Sequence, residues 1–216
     1  MEKRNTKESD KKILYLTAIV SLLFFFLILQ NVYQEGKLTI LDKKINDSVQ
    51  KIQSPAFIFI SKVISNIFEP IIFLILFLLV ALYLLHKKRK GEAFFLAVFT
   101  IFSFFISQLI KISVHRPRPI NSLIMDGTYS FPSGHALMSV IFFGILIYLF
   151  EHHITKRKDK FILTFLSSLL VLVISLTRLY LNVHWFTDVL ASLFLGVLLI
   201  ISYIFILPST GIFKKE

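Results

Sequence analysis

The sequence has no cysteine, a single tryptophan, seven glycines and six prolines, and only 13 acidic side chains stand against 24 basic ones in its 216 residues. Without cysteine there is no disulfide, no thiolate nucleophile and no sulfur ligand for zinc. So little glycine and proline excludes a collagen-like or low-complexity chain. Charge is also scarce, at 17% of residues against about a quarter in soluble domains. What fills the space is apolar: 56% hydrophobic residues, 24 of them phenylalanine, with a mean hydropathy of +0.76. A soluble core of this size cannot enclose that much apolar surface, so the chain is expected in a bilayer. The net charge of +11 does not point to nucleic acid, because Lys and Arg cluster in short segments between apolar runs, as in cytoplasmic membrane loops.

Six apolar runs stand out, Ile13 to Val32, Ile71 to Leu85, Ala93 to Ile110, Ala136 to Phe150, Phe161 to Thr177 and Val189 to Leu207. The first follows a basic stretch, but it is long enough to cross a bilayer and "QNVYQEG" after it has no small-residue cleavage pattern, so it reads as a retained span. The expected fold is all-α, a polytopic membrane protein with six transmembrane helices, forming one domain over residues 1–216 with neither repeat nor linker. Most basic residues lie in the N-terminal tail (Lys3, Arg4, Lys7, Lys11, Lys12), in "HKKRKGE", in "ITKRKDK" and in the C-terminal "FKKE". These segments alternate onto one side, which the positive-inside rule makes cytoplasmic, with both termini inside a cell membrane. Of the outward connections, Gln34 to Glu69 reads as a loop carrying an amphipathic surface helix near Leu38 to Ile52, with no part in function. Pro70 is expected to open or kink the second span.

The other two outward connections hold polar residues that a membrane protein would not place there without reason. In "KISVHRPRP", Lys111 and Arg118 would share a helix face, but Pro117 and Pro119 should make the chain leave the helix near His115. In "YSFPSGHA", Ser133 suits a helix cap, Gly134 allows close backbone approach, and His135 stands in the first turn, where free amides and the helix dipole favour an anion. In "TRLYLNVHWFTD", a break is expected near Asn182, after which His184 and Asp188, four apart, share a face of the last span; the Asp can then accept the ring proton of the His. Each stretch has a bland reading: snorkelling cations, an ordinary helix start, an interfacial histidine. Together they gather three cations, helix-terminal amides and two histidines at one membrane face, a pocket suited to a phosphate group.

The same stretches resemble, in order and spacing, the three-part signature of the type 2 phosphatidic acid phosphatase family: Lys111 with Arg118-Pro119, then Pro132 to His135, then Arg178 with His184 and Asp188. Thr177 stands where that family usually has serine. The resemblance implies a metal-independent phosphatase without cofactor, its active site at the outer membrane interface. It implies that His184, oriented by Asp188, forms a phosphohistidine, that His135 protonates the leaving oxygen, and that Lys111, Arg118, Arg178, Ser133 and Gly134 hold the phosphate oxygens. The substrate implied is a lipid phosphate within the bilayer, undecaprenyl pyrophosphate first, with phosphatidylglycerophosphate and phosphatidic acid as alternatives. Arg116 and His115 occupy no signature position; an auxiliary phosphate contact is the expectation for Arg116. Tyr180 and Trp185 read as an aromatic belt, and Asp126 as a solvated turn residue. Readings from other classes are a small transporter, a metal site on His135, His184 and Asp188, and a silent scaffold.

Overall fold

The computed structural model describes residues 8–209 apart from 125, 126 and 128; Lys3, Arg4, Lys7, Asp126, Lys214 and Lys215 lie outside the described residues. Those described form helices and no strand: α1 Glu8–Tyr33, α2 Lys37–Lys51, α3 Pro55–Ile67, α4 Pro70–His86, α5 Lys90–Val114, α6 Gly134–Phe150, α7 Arg157–Tyr180 and α8 Phe186–Ser209, with a short 3-10 turn at Glu151–His153. Among them, four (α1, α5, α7 and α8) are long and apolar enough to cross a membrane, and α3 with α4, bent by 42°, adds a fifth if counted as one broken span. With 17 residues, α6 is about 26 Å long, just short of the ~30 Å hydrocarbon thickness.

Local chemistry explains the boundaries. Both α3 and α4 begin on proline, where a missing amide costs nothing, and Ser54 caps α3 by accepting from the amide of Phe57. α5 ends where His115 turns left-handed (φ 52°) ahead of the prolines, and the chain after α7 turns at Asn182 (φ 53°), the two breaks expected from the sequence. One expectation fails. The connection after α1 is not a loop with one surface helix but two helices, because "PAFIFISKVISNI" is apolar enough for a membrane and too short to be recognised as a span.

α6 is buried on nearly every side, packed against α8, α7 and α4. The apolar side chains of α1, α4, α5 and α7 instead point outward, as lipid requires. Four hydroxyls inside the bundle are satisfied on their own helices: Thr100, Ser103 and Ser192 donate to the carbonyl four residues back, and Ser139 to the one three back. Tyr15 stacks on Phe205 and Tyr83 packs at a tilt on Phe150, which sets the start of α1, the ends of α4 and α6 and the end of α8 at one end of the bundle. The end of α5, the starts of α6 and α8 and the end of α7 meet at the other.

Candidate active site

That second end brings the three polar stretches together. α5 delivers Lys111 and the extended segment after it delivers Arg116 and Arg118. Lys111 Nζ donates to the carbonyls of Pro132 (2.8 Å) and Tyr129 (3.1 Å), and Arg118 Nη2 donates to the same Tyr129 carbonyl (3.1 Å). One backbone oxygen thus holds two cations side by side. Arg118 Nη1 donates to the Val183 carbonyl at 2.7 Å and lies 3.3 Å from His184 Nε2.

The second stretch opens α6. Ser133 is its N-cap residue, fully buried, and its Oγ has no hydrogen-bond partner among the described residues. An orphaned hydroxyl beside the free amides of a helix start is suited to an anion. Gly134 has room, since a Cβ there would lie 3.4 Å from the Pro70 ring, so packing alone does not demand glycine. His135 Nε2 is 3.2 Å from the Ser65 carbonyl, which can only accept, so Nε2 carries a proton. Ser65 Oγ also accepts from Nη1 of Arg178, a fully buried arginine in the last turn of α7. Ser65 of α3 therefore sits between His135 and Arg178, a place its serine in an apolar run did not signal.

In the third stretch the structure departs from the expected geometry. α8 starts at Phe186, so His184 lies in the preceding turn and not on a helix face with Asp188. Its Nδ1 faces the Ser130 carbonyl at 2.7 Å, with Asp188 Oδ2 farther off at 3.5 Å. The carbonyl accepts from Nδ1–H, leaving the lone pair on Nε2, which faces Arg118. Asp188 is a neighbour of the ring and is held from elsewhere: Oδ2 accepts from the Trp185 amide (2.9 Å), a capping-box contact, and Oδ1 accepts from Arg116 Nη1 (2.5 Å). Arg116 is thus no auxiliary phosphate contact. It is buried between Asp188 and Asp42 of α2, whose Oδ2 accepts from Arg116 Nη2 at 2.6 Å. α2, expected to be functionally bland, has in Asp42 a residue only 1% exposed. The supposed belt residues also make directed bonds, Trp185 Nε1 to the Pro117 carbonyl and the Tyr180 hydroxyl to the Ile52 carbonyl.

Beside His135 and Arg178 a cavity of about 460 Å³ opens between the α3–α4 bend and α5, lined by Ser65, Asn66, Glu69, Leu74, Phe104 and Gln108 among others. Among the described residues, no three His, Asp or Glu side chains are grouped to hold a metal ion.

Two histidines oriented by backbone carbonyls, beside fixed cations and an anion-ready helix start, form an arrangement suited to phosphoryl transfer. Residues 92–210 match the PAP2 superfamily model, and the chain belongs to that superfamily of phosphatases. It is 24% identical over 182 residues, 83% of its length and 90% of the relative's, to phosphatidylglycerophosphatase B of Bacillus subtilis. It is 30% identical over 143 residues, 62% of its length and 64% of the relative's, to an undecaprenyl-diphosphatase of Sulfolobus acidocaldarius. In fold it resembles the crystal structure of a transmembrane PAP2-type phosphatidylglycerolphosphate phosphatase from Bacillus subtilis, with a TM-score of 0.79 at 22% identity over 93% of this chain and 98% of that one.

Proposed function

We propose that the protein hydrolyses the terminal phosphate of a membrane lipid in two phosphoryl transfers without a metal ion, and that the lipid is a phosphomonoester such as phosphatidylglycerophosphate. His184 Nε2 attacks phosphorus, the N–P bond forms as the bond to the leaving oxygen breaks, and that oxygen takes a proton from His135, which enters the step as the doubly protonated imidazolium and leaves it as the neutral imidazole. Water, deprotonated by His135, then attacks phosphorus, releasing inorganic phosphate and restoring His184. Lys111, Arg118 and Arg178, with Ser133 and the Gly134 amide, bear the charge on the three nonbridging oxygens.

The observation that carries the reading is the orientation of the two histidines by backbone carbonyls, His184 through Nδ1 on Ser130, which turns its Nε2 outward, and His135 through Nε2 on Ser65. The choice of lipid rests on the cavity. His135 serves the leaving group, so the cavity it lines receives the leaving group. Its other polar lining is Ser65, Asn66, Gln108 and the carboxylate of Glu69, with Arg178 the one Lys or Arg among the lining residues. Such a wall suits an alcohol with a further hydroxyl. A leaving phosphate, as undecaprenyl pyrophosphate would present, meets the charge of Glu69. This reverses the order expected from sequence, and the diphosphate remains the second reading, favoured by the name of the 30% identical relative.

Purified protein in excess chelator is expected to release phosphate from phosphatidylglycerophosphate faster than from undecaprenyl pyrophosphate, with His184→Ala inactive. Glu69→Gln should raise kcat/KM for the diphosphate relative to the monoester. A wild-type preference for the diphosphate, unmoved by that substitution, would make the second reading the function, and activity lost in chelator and restored by a divalent cation would refute the mechanism.

A further inference from the structure

We infer that Asp42 of α2 and Arg116 are positioning residues of the reaction, a buried relay that holds Asp188 in place behind the nucleophilic histidine; the inference rests on the phosphatase reading above. Four side chains from three segments form it. Arg116 Nη1 donates to Asp188 Oδ1 (2.5 Å) and to Thr187 Oγ1 (2.7 Å), while its Nη2 donates to Asp42 Oδ2 (2.6 Å). Thr187 Oγ1 donates onward to Asp42 Oδ2 (2.6 Å), and the Thr187 amide donates to Asp42 Oδ1 (2.9 Å). The Trp185 ring lies 5.6 Å from the guanidinium and covers it.

Asp42 does two things here. It caps α8 from outside, satisfying an amide of the first turn that has no partner within the helix. It also balances Arg116, so that the guanidinium is shared between two carboxylates and kept away from the phosphate site that Arg118 serves. Both oxygens of Asp188 are then fixed, one by Arg116 and one by the Trp185 amide, leaving Oδ2 at 3.5 Å from His184 Nδ1. When the N–P bond forms, the imidazole becomes cationic, and the carboxylate held at that distance stabilises it. None of the four side chains needs to touch phosphate, so the relay should affect the chemical step and not binding.

The test separates these. With phosphatidylglycerophosphate, Asp42→Asn is expected to lower kcat about tenfold or more, with KM and inhibition by inorganic phosphate changed by less than about twofold; Arg116→Lys, which keeps the charge but loses the fork, should lose less than Arg116→Ala. If Asp42→Asn does not fold, Thr187→Val removes the shared hydroxyl and should show the same split, while Thr187→Ser should restore wild-type kcat. An Asp42→Asn protein with a lower melting temperature but unchanged kcat would reduce the relay to a structural pin and overturn the inference, as would a parallel rise in KM and in the phosphate inhibition constant. Wild-type protein that releases no phosphate from any lipid would refute the phosphatase reading itself, a result distinct from either.

Discussion

Ser65 shows how much one side chain outside the recognised motifs can carry. Its hydroxyl accepts from buried Arg178 and its carbonyl from His135, so α3 fixes both the proposed phosphate-binding cation and the proposed acid. Ser65→Ala removes only the first contact. A hydrogen bond to a charged group is worth about 1.5–3 kcal/mol, so kcat/KM should fall roughly 10- to 100-fold while the fold survives; a fall below twofold would mean that Arg178 is held by other contacts. Lys111, Arg118, Ser133, His135, Arg178, His184 and Asp188 were legible in the sequence because each lies in a short segment with fixed spacing. Asp42, Ser65 and the role of Arg116 were not, because their partners lie 74, 113 and 72 residues away and no local pattern marks a buried aspartate on an amphipathic helix.

Among the elements, the crossing of α6 and α8 sets the site, since it fixes the helix start bearing Ser133 against the one bearing Asp188. The crossing is close because glycines face each other's helices: a Cβ on Gly196 would meet Val140 Cγ1 at 2.7 Å, and one on Gly144 would meet Ile200 Cδ1 at 2.2 Å. Small residues at such contacts let membrane helices approach without a hydrophobic driving force. Gly196→Val should overpack this interface, at a cost of about 1–3 kcal/mol, seen as a lower melting temperature in detergent and a reduced kcat from a displaced α8. A melting temperature equal to wild type would show that the helices can part without loss. The apolar runs placed the cores of α1 and α4 to α8 correctly, because runs of 15 to 20 residues with so little charge have few alternatives to a helix in lipid. They did not reveal α3, which at 13 residues is too short to span alone and passes as part of a span only when taken together with α4.

For the whole molecule, the stacking that gathers the start of α1 and the end of α8 at one end of the bundle, with the phosphate site at the other, ties orientation to lipid supply. The basic segments Lys87 to Lys90 and Lys156 to Lys160 lie on the end away from the site, and the positive-inside rule assigns that end to the cytoplasm. The site would then draw its lipid from the outer leaflet. The absence of cysteine makes this directly testable, since any introduced thiol is the only one in the chain. Ile120 is fully exposed (100%) beside the site, and Lys88 and Lys158 are exposed at the opposite end. A membrane-impermeant maleimide applied to intact cells is expected to label Ile120→Cys, and to label Lys88→Cys and Lys158→Cys only after permeabilisation. Labelling of Lys88→Cys and Lys158→Cys on different sides would break the proposed six crossings, because α5 and α6, the two helices between them, would then together cross an odd number of times. The inverse pattern, with both reached from outside and Ile120→Cys protected, would keep the crossings and place the phosphatase on the cytoplasmic face, where its substrate must be a lipid of the inner leaflet.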